Sequence, residues 1–190
     1  SINSLTPEEI YRKLKLLSLH GQNKDAFSKF KGGGWYYEIE TIGYKFNMTD
    51  VAAAIGLSQL KRYDSEILPK RKKICETYKN ILNTQPFILP LLTTEEKTSS
   101  FHLFPLRIKN ITESQRNVII DILAKNDIFV NVHFIPVVMH PAYKKLGYSI
   151  KDFPVSYNCY KSEISLPVHT KMDEKDAEYV CKKLLEAASL

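Results

Sequence analysis

The stretch Gly43-Tyr-Lys-Phe-Asn-Met-Thr-Asp-Val-Ala-Ala-Ala-Ile-Gly-Leu-Ser-Gln-Leu60 turns from an aromatic loop into a helix. Asn47 and Thr49 both carry side-chain oxygens able to cap free amides. Met48, Val51, Ala52, Ile55 and Gln59 then follow the 3.6-residue period. Ala52, Ala53, Ala54 and Gly56 make a small-residue face that lets another backbone or a ligand come close. Gly56 costs a helix about 1 kcal/mol against alanine, which points to a packing reason. Lys45, Asn47 and Thr49 lie where the loop meets the helix, and free N–H groups with the helix dipole favour an anion such as a phosphate there. The local alternative is that Asn47 or Thr49 is simply the cap.

Before this stretch, Thr6-Pro7-Glu8-Glu9 supplies a cap, a first-turn proline and early acids for a helix over 4–19, with Ile10, Leu14 and Leu17 at helical spacing. His20-Gly21 ends it. A polar loop leads to Gly32-Gly-Gly34 and an extended-looking Trp35-Tyr-Tyr-Glu-Ile-Glu40. After it, a longer helical pattern holds Ile67, Ile74, Tyr78, Ile81 and Leu82, and Pro69 should bend or restart it. Residues 84–100 show no sustained period and read as a connection. Residues 101–108 and 128–134 read as strands around a helix over 113–125. Pro105 places the first strand at an edge or a bulge. A short helix over 155–161, a strand over 164–166 and a helix over 173–185 close the chain. The last has acids at its start and Lys182-Lys183 near its end.

Period 2 along Ile128-Phe-Val-Asn-Val-His-Phe134 sets Asn131 and His133 on one face and Val130, Val132 and Phe134 on the other. Pro136, His140-Pro141 and Tyr143 follow in a loop suited to walling a flat ligand. The plainer alternative is a half-exposed strand whose histidine hydrogen-bonds locally. His20, His102 and His169 are scattered, without acids or thiols at metal-ligand spacing. Walker, GxGxxG, GxSxG and HExxH patterns do not occur.

Composition narrows the class. The 190 residues are 44% hydrophobic and 25% charged, as in folded globular chains, and no apolar run is long enough for a membrane span. The N-terminal residues lack the basic start and apolar middle of a signal peptide. Three cysteines without CxxC spacing suggest neither a disulfide framework nor a zinc site, and a cytoplasmic setting is expected. The 27 Lys and Arg against 21 Asp and Glu leave +6, which would suit nucleic acid or a phosphorylated ligand. Much of that excess lies on amphipathic helices as a solvated face, and nucleic-acid binding is the weakest reading.

The stretch from Gly43 to Leu60 resembles the signature of the DegT/StrS-type sugar aminotransferases. Leu16-Leu-Ser-Leu-His-Gly21, Trp35-Tyr-Tyr-Glu38, Val132-His-Phe-Ile-Pro136, His140-Pro-Ala-Tyr143, Phe153-Pro154 and Ile164-Ser-Leu-Pro167 follow in the family's order. The resemblance implies an α/β (α+β) fold: the C-terminal part of an aspartate-aminotransferase-like chain (PLP fold type I). Residues 1–60 would be a remnant of the large domain, including the start of the interdomain helix. Residues 61–190 would be the C-terminal small domain, a short mixed or antiparallel sheet packed by helices.

The resemblance further implies a homodimeric enzyme that uses pyridoxal phosphate to move an amino group, from glutamate, onto a keto nucleotide-sugar for surface polysaccharide or deoxysugar synthesis. The Schiff-base lysine would lie outside this chain, so the fragment alone is expected to lack the cofactor and be inactive. Asn47 resembles the position that reaches the cofactor phosphate of the neighbouring subunit, and Lys45 is the second candidate. His133 and Phe134 resemble the lining of the nucleotide-sugar pocket, which Asn131, His140 and Tyr143 could extend. Trp35 and the 32–34 glycines resemble a segment near the partner's active site. Pro69 departs from the family's unbroken helix. A non-catalytic interaction module that pairs with a homologous half is the alternative reading.

Overall fold

The computed structural model describes residues 4–23 and 37–189. Trp35 and Gly32 to Gly34 lie outside the described residues. The chain divides into two compact units, Ser1–Leu60 and Lys61–Leu190.

In the first unit, helix α1 (Pro7–Ser18) begins as its composition demands. The Thr6 side chain accepts from the Glu9 amide and Glu9 reaches back to the Thr6 amide, a reciprocal capping box. The chain then turns through His20 and Gly21, both at positive φ. The 43–46 loop runs back along the end of α1: His20 N–H donates to Tyr44 O (2.8 Å), Tyr44 N–H to Leu17 O (2.7 Å) and Phe46 N–H to Ser18 O (2.8 Å). A Cβ on Gly21 would strike the Thr41 carbonyl, and one on Gly43 the Gly21 amide, so both positions need glycine. Helix α2 (Asp50–Lys61) follows, with none of its residues buried within the described chain.

The second unit starts with a π turn over Tyr63–Ile67, in which Leu68 N–H reaches Tyr63 O, and helix α3 (Leu68–Leu82) follows. The restart expected at Pro69 is thus a widened turn. Proline falls in the first turn of α3, where its missing N–H costs no helical bond. Strand β1 (Phe87–Ile88) lies in the segment expected to be only a connection; two residues are too few to give a period. Strand β2 (Phe104–Ile108), helix α4 (Glu113–Ala124), the single turn α5 (Pro141–Lys144), helix α6 (Pro154–Tyr160), strand β3 (Glu163–Leu166) and helix α7 (Glu174–Ala188) complete the unit.

The sheet is antiparallel, in the order β1-β2-β3. This corrects two expectations. Pro105 is in the middle strand, not at an edge. It is tolerated because β1 pairs only with Arg107 and Ile108, leaving Pro105 a partner, Ser165, on one side alone. Residues 128–134 form no strand: Asn131 alone bridges Ser165, donating to its carbonyl at 3.2 Å and accepting from its amide at 2.8 Å.

Alternation along β2 sends Phe104, Leu106 and Ile108 into the core, against Ile74, Cys75, Tyr78 and Leu82 of α3 and Val180, Cys181 and Leu184 of α7. Burial pushes the thiols of Cys75 and Cys181 up to about 12, so both behave as small apolar groups. All four β3 residues are buried. Ile164 and Leu166 join the core; Glu163 and Ser165 point to the opposite face, and the candidate site is built on them.

Candidate functional site

In the first unit, the Thr49 hydroxyl accepts from the Ala52 amide at 3.3 Å and is the cap of α2. That decides between the two capping candidates and leaves the Asn47 amide without a hydrogen-bond partner among the described residues. Asn47 is exposed and lines a cleft of about 630 Å³ along α1, together with Arg12, Lys15 and Glu40. Lys45 is exposed and its backbone bridges Leu19. An unused amide and a lysine beside a helix start form a donor set that fits a phosphate.

In the second unit, Asn131, His133 and Phe134 gather over β3. His133 N–H donates to Glu163 Oε2 at 2.9 Å, and His133 Nδ1 lies 2.8 Å from Ser165 Oγ. Ser165 Oγ donates to Glu163 Oε1 at 2.5 Å. His133 is half-buried, while Phe134, joined to it by a cis peptide, is 74% exposed and meets the imidazole edge to face at 4.7 Å. The Asn131 side chain turns onto its own backbone, accepting from the Val132 amide at 2.8 Å. His140 and Tyr143 lie farther along: His140 precedes α5, and its carbonyl accepts from the Tyr143 amide.

The residue that holds His133 is itself held, through its main chain, by a second polar group. Arg116 of α4, 2% exposed, donates to the Glu163 carbonyl at 3.1 Å, lies 4.9 Å from the centre of the Tyr160 ring, and approaches Glu113 at 3.9 Å. Glu113 also accepts from Tyr160 (2.8 Å) and Tyr157 (3.3 Å). None of these residues was singled out from sequence. Their signals were present: Arg116 shares the stripe of Ile119 and Leu123, where a charged side chain must find partners, and Glu163 and Ser165 alternate with apolar residues in a fully buried strand.

Burial raises the Glu163 carboxyl above its ordinary 4.5; its hydrogen bonds from Ser165 and the His133 amide, and the charges of His133 and Arg116, oppose that only in part. A carboxyl raised by folding stabilises the fold fully below its unfolded pKa, and that contribution is lost as pH rises through the folded value. In thermal melts from pH 4 upward, the stability of wild type relative to Glu163→Gln should therefore fall with rising pH. A difference that stays flat or grows would contradict a raised Glu163.

The model of the DegT/DnrJ/EryC1/StrS aminotransferase family matches residues 5–185. The chain belongs to that family. Among DegT/DnrJ/EryC1/StrS relatives, the spore coat polysaccharide biosynthesis protein SpsC of Bacillus subtilis is 37% identical over 177 residues, covering 91% of this chain and 45% of SpsC. The UDP-4-amino-4,6-dideoxy-N-acetyl-beta-L-altrosamine transaminase of Campylobacter jejuni serotype O:2 is 34% identical over 173 residues, 91% of this chain and 44% of that protein. Spr1654 of Streptococcus pneumoniae, solved in its PMP-form, superposes with a TM-score of 0.82 at 38% identity, over 97% of this chain and 46% of its own. The α/β fold of these family members is thus the fold of this chain, which spans a little under half the length of each.

Proposed function

We propose that this chain is the C-terminal portion of a pyridoxal-phosphate-dependent aminotransferase. In this reading the enzyme moves an amino group from glutamate to the keto group of a nucleotide-linked sugar, for surface polysaccharide or deoxysugar synthesis. The observation that carries the reading is the 34% identity, over 91% of this chain, to a UDP-sugar transaminase. Residues 1–60 belong to the large domain in this reading, and 61–190 are the small domain.

Pyridoxal phosphate, when bound, supplies the electron sink for amino transfer. The lysine that carries it comes from outside these 190 residues, so the chain alone is inactive. Asn47 would donate its amide hydrogens to the cofactor phosphate of the neighbouring subunit in a homodimer, with Lys45 the second candidate for that contact and the positive end of α2 adding to the attraction. His133 and Phe134 line the nucleotide-sugar pocket. The exposed ring of Phe134 offers a flat apolar face and His133 a hydrogen-bonding edge. Asn131, His140 and Tyr143 extend that wall, and Trp35 is a further substrate-binding candidate, in a segment that resembles one near the partner's active site. None of the described helices is long and apolar enough to cross a membrane; in this reading the enzyme is cytoplasmic.

The test is to supply the full-length protein with pyridoxal phosphate, glutamate and keto UDP-sugars. The expected products are an amino sugar and the 2-oxo acid left from glutamate. Cofactor binding without amino transfer to any keto nucleotide-sugar would overturn the substrate assignment.

A second reading, a non-catalytic module pairing with a homologous half, is favoured by the exposure of α2, where Val51 is 74%, Ile55 62% and Leu60 69% exposed. A full-length protein that associates with a homologue yet never binds pyridoxal phosphate would establish it.

A further inference from the structure

Ser165 has one hydroxyl proton and two polar neighbours, the Glu163 carboxylate at 2.5 Å and His133 Nδ1 at 2.8 Å. Both Glu163 oxygens act as acceptors, Oε2 from the His133 amide and Oε1 from Ser165. With its proton committed to the carboxylate, the Ser165 oxygen can only accept from the imidazole, so Nδ1 must carry the ring proton. In the neutral ring that leaves Nε2 with a lone pair. The cluster is buried at its base, with Glu163 6% and Ser165 3% exposed, and opens at the half-buried imidazole. Arg116 of α4 holds the Glu163 main-chain carbonyl rather than the carboxylate, and Arg107, paired with Glu163 across β2, donates to Cys159 Sγ.

We propose that Glu163, acting through Ser165, is a positioning residue that fixes His133 in the Nδ1–H tautomer and presents Nε2 as an acceptor to a substrate hydroxyl. The substrate half of this statement rests on the placement of His133 in the nucleotide-sugar pocket; the tautomer does not depend on it. The arrangement is a carboxylate orienting an imidazole with a serine hydroxyl in between, and the acceptor it creates selects a hydrogen-bond donor. A sugar or ribose hydroxyl is such a donor.

The backbone hydrogen bond makes the proposal sharp. In Glu163→Gln the His133 amide still needs an acceptor, and only the glutamine carbonyl can serve. The glutamine NH2 must then face Ser165, whose oxygen accepts from it. The Ser165 proton is thereby turned toward His133 Nδ1, and the ring proton moves to Nε2. One amide substitution reverses the tautomer without changing the shape of the site.

The experiment is nitrogen NMR of the full-length protein labelled with 15N-histidine, with His133 assigned by the loss of its signals in His133→Asn. It is read at a pH where the ring is neutral. The wild-type ring is expected to carry its proton on Nδ1, Glu163→Gln on Nε2, and Ser165→Ala to lose the single-tautomer signature. A wild-type proton on Nε2, or an unchanged Nδ1–H in Glu163→Gln, overturns the proposal. Should Glu163→Gln not fold, Ser165→Ala decides, and an undiminished Nδ1–H form there overturns it equally.

Steady-state kinetics separates the two halves. A reversed tautomer with KM for the keto sugar raised by up to about tenfold at little cost in kcat, the worth of one neutral hydrogen bond, supports both. A reversed tautomer with KM unchanged upholds the positioning role and removes His133 from the substrate site.

Discussion

Phe104→Ala is expected to destabilise the second unit by about 3–5 kcal/mol, the cost of emptying a large aromatic site in a packed core. Phe104 is fully buried in the middle strand, and its ring lies 5.1 Å from that of Tyr78, which reaches across the core to donate to the Pro167 carbonyl at 2.8 Å. A cavity there faces α3, β3 and α7 together, so neighbouring side chains cannot all relax into it. The melting temperature should fall by about 10 °C or more. A loss below about 1 kcal/mol in denaturant titration would show that the sheet does not pack on α3 as described.

In the full-length enzyme, Asn47→Ala should weaken pyridoxal phosphate binding by about tenfold to a hundredfold, from the loss of a hydrogen bond to a charged group worth roughly 1.5–3 kcal/mol. The Thr49 cap makes the interpretation clean, because α2 keeps its N-terminal hydrogen bond when Asn47 is truncated. Any loss in affinity therefore reports the phosphate contact and not fraying of the helix. Cofactor affinity equal to wild type in an equilibrium titration would remove Asn47 from the cofactor site and leave Lys45 as the residue to test.

Much of the fold was legible because its signals are local. Thr6, Thr112 and Asp173 each cap a helix from within the next turn, and each does so through a reciprocal box with the residue three positions on. The helix stripes of α3, α4 and α7 follow the 3.6-residue period that apolar packing imposes. The misreadings concern the sheet. Residues 128–134 alternate as a strand would, yet pairing ends at Asn131, because the next amides are taken by side chains, Val132 by Asn131 and His133 by Glu163. Whether an alternating segment becomes a strand depends on what its backbone finds opposite, and the partners here are thirty residues or more away in sequence.

The site divides along the same line. Sequence singled out Asn47 and His133, since a polar side chain at a helix start and a histidine in an alternating run are visible one segment at a time. It could not say that Thr49 and not Asn47 caps α2, that His133 stands on Glu163 and Ser165, or that Arg116 braces them from α4. By itself the sequence determined the longer helices, the core stripes and the family, because periodicity and ordered motifs are properties of neighbouring residues. Only the tertiary structure decided the strand order, the position of Pro105 and the proton chain from Glu163 to His133. Those depend on which distant groups are buried face to face, and a buried carboxylate takes whatever donors the fold sets beside it.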